Sequence, residues 1–331
     1  MLRCNVGPDL KRHAFRCSSK VSVHGRGRSM DSNRYRVGVV GLGSMGMGAA
    51  RSCVAAGLAT YGIDLNPAAR DALQQAGGEA SGADASAFAG DLDALLLLVV
   101  NAEQCRSVLL GPEGLAAKLR PGTGVMLSAT ISAADSRAIA GELEPLGLLV
   151  LDAPVSGGPV KAAAGEMTVM AAGSRAAFDR LRPVLDAVAG KVYEIGEEIG
   201  LGATVKIIHQ LLAGVHIAVG AEAMAMAARA GVPLETMYQV VTNAAGNSWM
   251  FENRMRHVVD GDYAPRSAVD IFVKDLRLVT EAALSLNFPV PLASTALAMF
   301  TNASNAGFGR EDDAAVIKTF AGIALPGVEG R

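Results

Sequence analysis

Between Tyr35 and Gly196 short β-rich runs alternate with helical stretches, and beyond Gly196 the strand signals stop. That switch constrains the fold more than any other feature of the chain. Strands separated by helical stretches belong to βαβ units, and such units build a parallel sheet with helices on its faces. The strand candidates are YRVGVV (35–40), ATYGID (59–64), ALLLLVV (94–100), GVMLSAT (124–130), LLVLDAPV (148–155), MTVMAAG (167–173) and KVYEIG (191–196). Between them PAARDALQQAG opens with Pro67 and closes on Gly77, as helix-terminus preferences require, and a further helix starts near Ser174. From Gly202 to Gly322 nearly everything reads as helix. The first of these helices spans about 28 residues, roughly 42 Å at 1.5 Å per residue. The expected class is therefore α/β: a doubly wound sheet over residues 34–198, then an all-helical domain over 199–331, joined by the long helix.

A chain of 331 residues is long for one core, which agrees with two domains. The net charge of −2 gives no general attraction to nucleic acid or anionic lipid, so neither is an expected partner. Cys4, Cys17, Cys53 and Cys105 are widely separated and form no CxxC pair. No metal site or disulfide framework is expected, and a reducing cytoplasm is the simplest home. The apolar stretch from Leu211 to Ala228 invites a membrane-spanning reading, which needs about 20 residues nearly free of polar interruption. His216 and Glu222 interrupt it, and its pattern continues to Lys206 and Arg229, so a helix buried in protein is expected. A helix apolar almost all round must be covered by others, some from a second subunit; the expectation is a dimer or tetramer formed through the C-terminal helices. Residues 1–33 form a basic, acid-poor tail. It reads as disordered or as an upstream start ahead of Met30, with an organelle-targeting peptide as the competing reading.

VGVVGLGSMGMG sets Gly41, Gly43 and Gly46 in GxGxxG spacing, after a strand and before a helical pattern. Gly41 permits the tight turn, Gly43 lets the backbone approach a pyrophosphate, and Gly46 allows close helix–strand packing; the helix N-terminus then offers amides and a positive dipole end. Asp64 closes the second strand 18 residues after Gly46. A carboxylate there accepts from the ribose hydroxyls and repels a 2′-phosphate, so the sequence points to NAD on a Rossmann-type domain. Capping of the helix after Asn66-Pro67 is the alternative role for Asp64, and Arg70 is a nearby group able to meet a phosphate. Leu42, Ser44 and Met45 of the loop, and Val100 at the end of the third strand run, complete the expected cofactor contacts.

A dinucleotide domain followed by a helical one suggests hydride transfer, which needs a group to take the hydroxyl proton as hydride leaves carbon. His13 and His24 lie in the tail, and His257 follows ENRMR on what reads as a solvated helix face. Lys206, inside ATVKIIHQLLAGVH, is the best remaining base. Either its stem lies over apolar neighbours at the surface, or burial beside Val205, Ile207 and Ile208 lowers its pKa toward neutrality.

GLGSMG, DAPVSGG (152–158), GATVKIIHQ (202–210) and KDL (274–276) together resemble the four signature segments of the β-hydroxyacid dehydrogenases. That family includes 3-hydroxyisobutyrate dehydrogenase and tartronate semialdehyde reductase, and the resemblance runs from about residue 35 to 322. It implies that Lys206 exchanges the proton with the substrate oxygen. It also implies that Ser156, Gly157 and Gly158 hold the substrate carboxylate, that Thr130 lies beside the nicotinamide ribose, and that Lys274 closes over the cofactor. The run from Asn243 to Leu276 resembles a sugar-acid branch, whose implied reaction is NAD-dependent oxidation of the four-carbon acid L-threonate at C2 to a 2-oxo-tetronate. An acid with a three-carbon backbone, of the 3-hydroxyisobutyrate or tartronate semialdehyde type, is the rival substrate, and a catalytically silent NAD-binding scaffold the rival from another class.

One departure stands out. Many family members carry two asparagines at the third and fourth positions after the lysine, where this chain has His209 and Gln210. Those positions share the lysine's helix face, so both side chains are expected to meet Lys206 or the substrate, or else to satisfy one another. Asn247 and Ser248, in the helix-breaking AAGNSW, are candidates for binding a sugar-acid hydroxyl and equally for capping the next helix. Trp249 and the methionines read as core or subunit contacts.

Overall fold

The computed structural model describes residues 34–328, so the tail 1–33, with Cys4, Cys17, His13 and His24, lies outside the described residues. The first half alternates as expected. It runs β1 (Arg36–Val40), α1 (Ser44–Ala55), β2 (Ala59–Ile63), α2 (Pro67–Gln75), β3 (Ala80–Gly82), β4 (Ala94–Leu97) and α3 (Ala102–Leu110). Then come β5 (Gly124–Leu127), α4 (Ala133–Leu143) and β6 (Leu149–Asp152). These strands pair in parallel in the order β3-β2-β1-β4-β5-β6. Chain order reverses beside β1, and in such sheets the crevice beyond the carboxyl ends of the strands at that point takes the ligand.

The central strands read as unbroken apolar runs because both faces of the sheet are covered. Val37, Val39, Leu96, Met126 and Leu151 pack on one side with Ala49 and Ala50 of α1. Leu95, Leu97, Val125, Leu127 and Val150 pack on the other with Leu109 of α3 and Ile139 of α4. After β6 the chain continues through β7 (Val155–Ser156), α5 (Gly158–Ala164), β8 (Met167–Gly173), α6 (Arg175–Val188) and β9 (Ala189–Gly196). β8 runs antiparallel to β6 and β7, and β9 parallel to β8. Three expectations shift. β4 stops at Leu97 and β5 at Leu127, not at Val100 and Thr130, and the expected 148–155 strand breaks between β6 and β7. β3, with alanine as its only apolar residue, gave no apolar signal to read.

Beyond Gly196 only helices follow among the described residues: α7 (Leu201–Arg229), α8 (Leu234–Thr242), α9 (Trp249–Asp260), α10 (Val269–Ser285) and α11 (Pro291–Ala303), then a 3-10 turn, Asp313–Thr319. The start of α7 is fixed from the sheet. Buried Asp152, ending β6, accepts from the amides of Gly200 (2.8 Å) and Ala203 (2.9 Å), satisfying first-turn donors that have no partner within the helix. A Cβ on Gly202 would lie 2.5 Å from the Asp152 carbonyl oxygen, so glycine lets the helix sit directly on the strand. Further along, Ile217, Ala221 and Met224 meet Phe251, Met255, Leu276 and Phe300 in one core. By length and composition α7 is apolar enough to cross a membrane, yet half of its most apolar stretch is buried inside the protein. Ile208, Leu212, Val219 and Met226 are exposed along it.

Candidate active site

The glycine-rich turn is shaped partly by its own packing and partly by an opening. Gly41 adopts φ +83°, and a side chain on Gly46 would collide with the Gly41 carbonyl. A Cβ on Gly43, by contrast, would meet nothing within 4 Å, and Gly43 lines a cleft of about 320 Å³ with Ser44, Met45 and Gly46. Gly43 is also the N-cap of α1, and no side chain satisfies the first amides of that helix. An open turn, free amides and a positive dipole end fit a pyrophosphate.

Gly41, Leu42 and Asp64 stand outside the cleft wall. The Asp64 carboxylate accepts from the Leu42 amide at 2.6 Å and the Asn66 amide at 2.7 Å, tying the end of β2 to the turn. Asn66, not Asp64, caps α2, accepting from the Ala68 amide at 3.0 Å. Arg70 donates to the Asp64 carbonyl at 2.8 Å, so its guanidinium is engaged with backbone at this corner.

The strand ends that sequence patterning made too long bend over the sheet edge and build the next wall: Leu98–Val100 after β4 and Ser128–Thr130 after β5. Opposite them lies the segment Ser156–Gly158. Gly157 and Gly158 hold φ +134° and +71°, values that side chains rarely tolerate, so the turn depends on glycine.

Lys206 closes the cleft from α7 and is buried at 6% exposure. It makes no hydrogen bond or ion pair among the described residues. Burial lowers its pKa from 10.5 to about 8, Asp275 opposing the shift and Lys274 adding to it. Ile207 is buried with it, whereas Ile208 faces outward and contributes little. The lysine is therefore a buried base, not a surface side chain.

His209 and Gln210 share its face and join a chain of contacts across the cleft. Ser156 Oγ lies 3.2 Å from His209 Nε2, and His209 Nδ1 lies 2.9 Å from Gln210 Oε1. Gln210 Nε2 donates to Asp275 Oδ2 at 2.5 Å. The other oxygen of Asp275 lies 2.7 Å from Lys274 Nζ, which donates to the Thr130 carbonyl at 2.9 Å. Thr130, Lys274, Ser156, Lys206, His209 and Gln210 are thus gathered around one space. Burial, then the Lys206 charge, lower the pKa of His209 below 6.5.

Asn247 and Ser248 are not gathered there. Ser248 caps α9, accepting from the Phe251 amide at 3.0 Å, and Asn247 donates to Glu252 at 3.1 Å; neither lines the cleft. Their successor Trp249, expected in the core or a subunit contact, is 54% exposed and forms part of the wall with Met250 and Arg254. His257, expected on a solvated face, is buried 2.9 Å from Asp312, because α9 turns that side toward the 3-10 segment. Sequence reasoning missed Asp275 and Arg254. Asp275 stood inside the quoted KDL and is buried at 2% exposure, in hydrogen-bond contact with Gln210. Arg254 pairs with buried Asp313 at 2.6 Å, a contact 59 residues apart that no local pattern announces.

Comparison with known proteins bears on the family and the fold. Residues 36–196 match a model of the NAD binding domain of 6-phosphogluconate dehydrogenase, and residues 200–320 one of the NAD-binding domain of NADP-dependent 3-hydroxyisobutyrate dehydrogenase. An L-threonate dehydrogenase of Pectobacterium atrosepticum is 70% identical over 292 residues, 88% of this chain and 96% of that one. The L-threonate dehydrogenase of Escherichia coli K12 is 68% identical over 90% of this chain and 98% of its own. A crystal structure of a Salmonella typhimurium protein described as 3-hydroxyisobutyrate dehydrogenase superposes with a TM-score of 0.84 at 67% identity, covering 86% of this chain and all of that one. With a Rossmann domain, an all-helical second domain and all four signature segments in place, the chain belongs to the β-hydroxyacid dehydrogenase family.

Proposed function

We propose that the chain oxidises L-threonate at C2 to the 2-oxo acid, reducing NAD. The observation that carries the reading is Lys206: a buried amine with pKa lowered to about 8, facing a cleft walled by the glycine turn on one side and Ser156–Gly158 on the other. NAD held at the glycine turn would supply the hydride acceptor. Gly43 and the first amides of α1 would hold its pyrophosphate, Asp64 its adenosine ribose, and Thr130, Val100 and Lys274 the nicotinamide end. The Ser156 hydroxyl and the Gly157 and Gly158 amides hold the substrate carboxylate in an anion cradle. Lys206 Nζ takes the proton of the C2 hydroxyl as hydride leaves C2, and the resulting ammonium stabilises the new carbonyl oxygen.

Relatives of near-equal identity carry names that point to two different acids, so substrate choice is settled by assay. NADH formation at fixed NAD should give a kcat/KM for L-threonate well above that for 3-hydroxyisobutyrate, with tartronate semialdehyde tested in the reductive direction. A preference for 3-hydroxyisobutyrate or tartronate semialdehyde sinks the reading. The exposed apolar stripe Ile208, Leu212, Val219 and Met226 supports pairing with a second copy through the C-terminal helices.

A further inference from the structure

The hydrogen-bond polarity of His209 follows from its neighbours. The Asp275 carboxylate accepts only, so the Gln210 amide must turn its NH₂ toward Asp275 and its carbonyl oxygen toward His209 Nδ1. That oxygen also accepts only, so Nδ1 carries a hydrogen. A neutral imidazole with Nδ1–H has a bare Nε2, and a bare nitrogen 3.2 Å from Ser156 Oγ is an acceptor for the hydroxyl hydrogen. The Ser156 hydrogen then points at His209 and away from the Gly157–Gly158 amides. Burial, then the Lys206 charge, disfavour the imidazolium and so favour this neutral form.

We propose that His209 is a positioning residue that switches Ser156. Neutral, it occupies the hydroxyl hydrogen and leaves the carboxylate cradle to the backbone amides. Protonated from solvent, its Nε2–H donates to Ser156 Oγ, and the hydroxyl hydrogen is released to the substrate carboxylate. No covalent bond other than N–H changes. Acid binding therefore strengthens as His209 gains a proton, and Asp275, acting through Gln210, sets the tautomer that makes this so. The charged groups around the imidazole are Lys206 one turn earlier on α7 and Asp275 on α10; Lys274, Arg254 and Arg266 line the same cleft.

The inference rests on Ser156–Gly158 being the carboxylate cradle, and two measurements separate its failure from a failure of that reading. On the full chain with saturating NAD, KM for L-threonate is followed from pH 5 to 8 in the wild type and in Ser156→Ala. The wild-type KM should rise about tenfold on deprotonation of His209, the value of one hydrogen bond to a charged group, and Ser156→Ala should show no such rise. A rise that survives in Ser156→Ala means His209 acts on the acid by its own charge and overturns the switch. So does a flat wild-type KM with normal turnover. Independently of any substrate, ¹⁵N spectra of histidine-labelled protein with NAD at pH 7 should show the Nδ1–H tautomer for the signal that His209→Gln removes. An Nε2–H tautomer there overturns the proposal even if the substrate proves to be a different acid.

Discussion

Replacing Lys206 by methionine should slow turnover sharply and make the protein more stable, and the second effect can be worked from the structure. Lowering the lysine pKa from 10.5 to about 8 means that the folded state disfavours the ammonium by about 3 kcal/mol relative to the unfolded chain. The sign follows from proton counts. Below pH 8 both states are protonated and the whole cost is present. Between 8 and 10.5 the unfolded chain binds more protons, so wild-type stability rises with pH; above 10.5 the cost is gone. Methionine keeps the stem's bulk without the charge. Asp275 is not orphaned by the change, because Lys274 remains 2.7 Å away. Lys206→Met should therefore gain about 1–3 kcal/mol at pH 7 and retain about 1 kcal/mol or less of that gain at pH 9.5, read from urea unfolding at the two pH values. In the same variant kcat should fall roughly 10²-fold or more while NAD binding persists. A variant less stable than wild type at pH 7, or a gain independent of pH, would show that the buried lysine is not the strained group this account makes it.

Three further outcomes test the glycine turn, its Asp64 tie and the cleft wall. Asp64→Asn should raise KM for NAD and improve use of NADP, since repulsion of a 2′-phosphate is removed while an oxygen remains for the Leu42 amide; equal wild-type efficiency with both cofactors would defeat the assignment. Gly43→Ala should fold normally yet raise KM for NAD, because its Cβ meets no protein atom and projects into the open turn, whereas Gly46→Ala should lower thermal stability by colliding with the Gly41 carbonyl. Arg254→Met should destabilise by about 3–5 kcal/mol at pH 8, leaving the buried Asp313 carboxyl, already pushed up to about 7 by desolvation, without its cation; unchanged urea unfolding would contradict that pairing.

The architecture was legible because its signals are local. The βαβ alternation, the glycine spacing and the loss of strand pattern after Gly196 each come from a few neighbouring residues, and each is found where expected. Lys206 was legible for the same reason: a cation surrounded by apolar residues on a helical pattern has few explanations. The errors lie where neighbours in sequence are not neighbours in space. His257 looked solvated because Glu252, Asn253, Arg254 and Arg256 precede it, yet α9 presents it to Asp312, 55 residues away. Trp249, large and apolar, reads as core or a subunit contact; it is not core but half-exposed at the start of α9, where it lines the cleft. The overlong strands fail for an informative reason. Leu98, Val99 and Val100 have strand propensity, but they leave the sheet to form a wall, and local preference yields there to the shape of the site.

The exchange of two asparagines for His209 and Gln210 shows both limits at once. That the pair shares a face with Lys206 follows from helix periodicity alone. What the pair does depends on Asp275, which reaches it from another helix and was not legible from the positions around Lys206. Glutamine carries one methylene more than asparagine, and at position 210 its amide spans from the histidine on its own helix to the carboxylate on α10. With asparagine at that position the shorter arm would have to give up one of the two contacts, and the imidazole tautomer would no longer be tied to the carboxylate. The substitution at 210 is thus what makes the one at 209 directional, and the two positions form one unit with Ser156. Gln210→Asn should accordingly free the His209 tautomer and weaken the pH dependence of KM while leaving Lys206 in place. Unchanged pH dependence in that variant would mean that the histidine takes its orientation from somewhere other than Asp275.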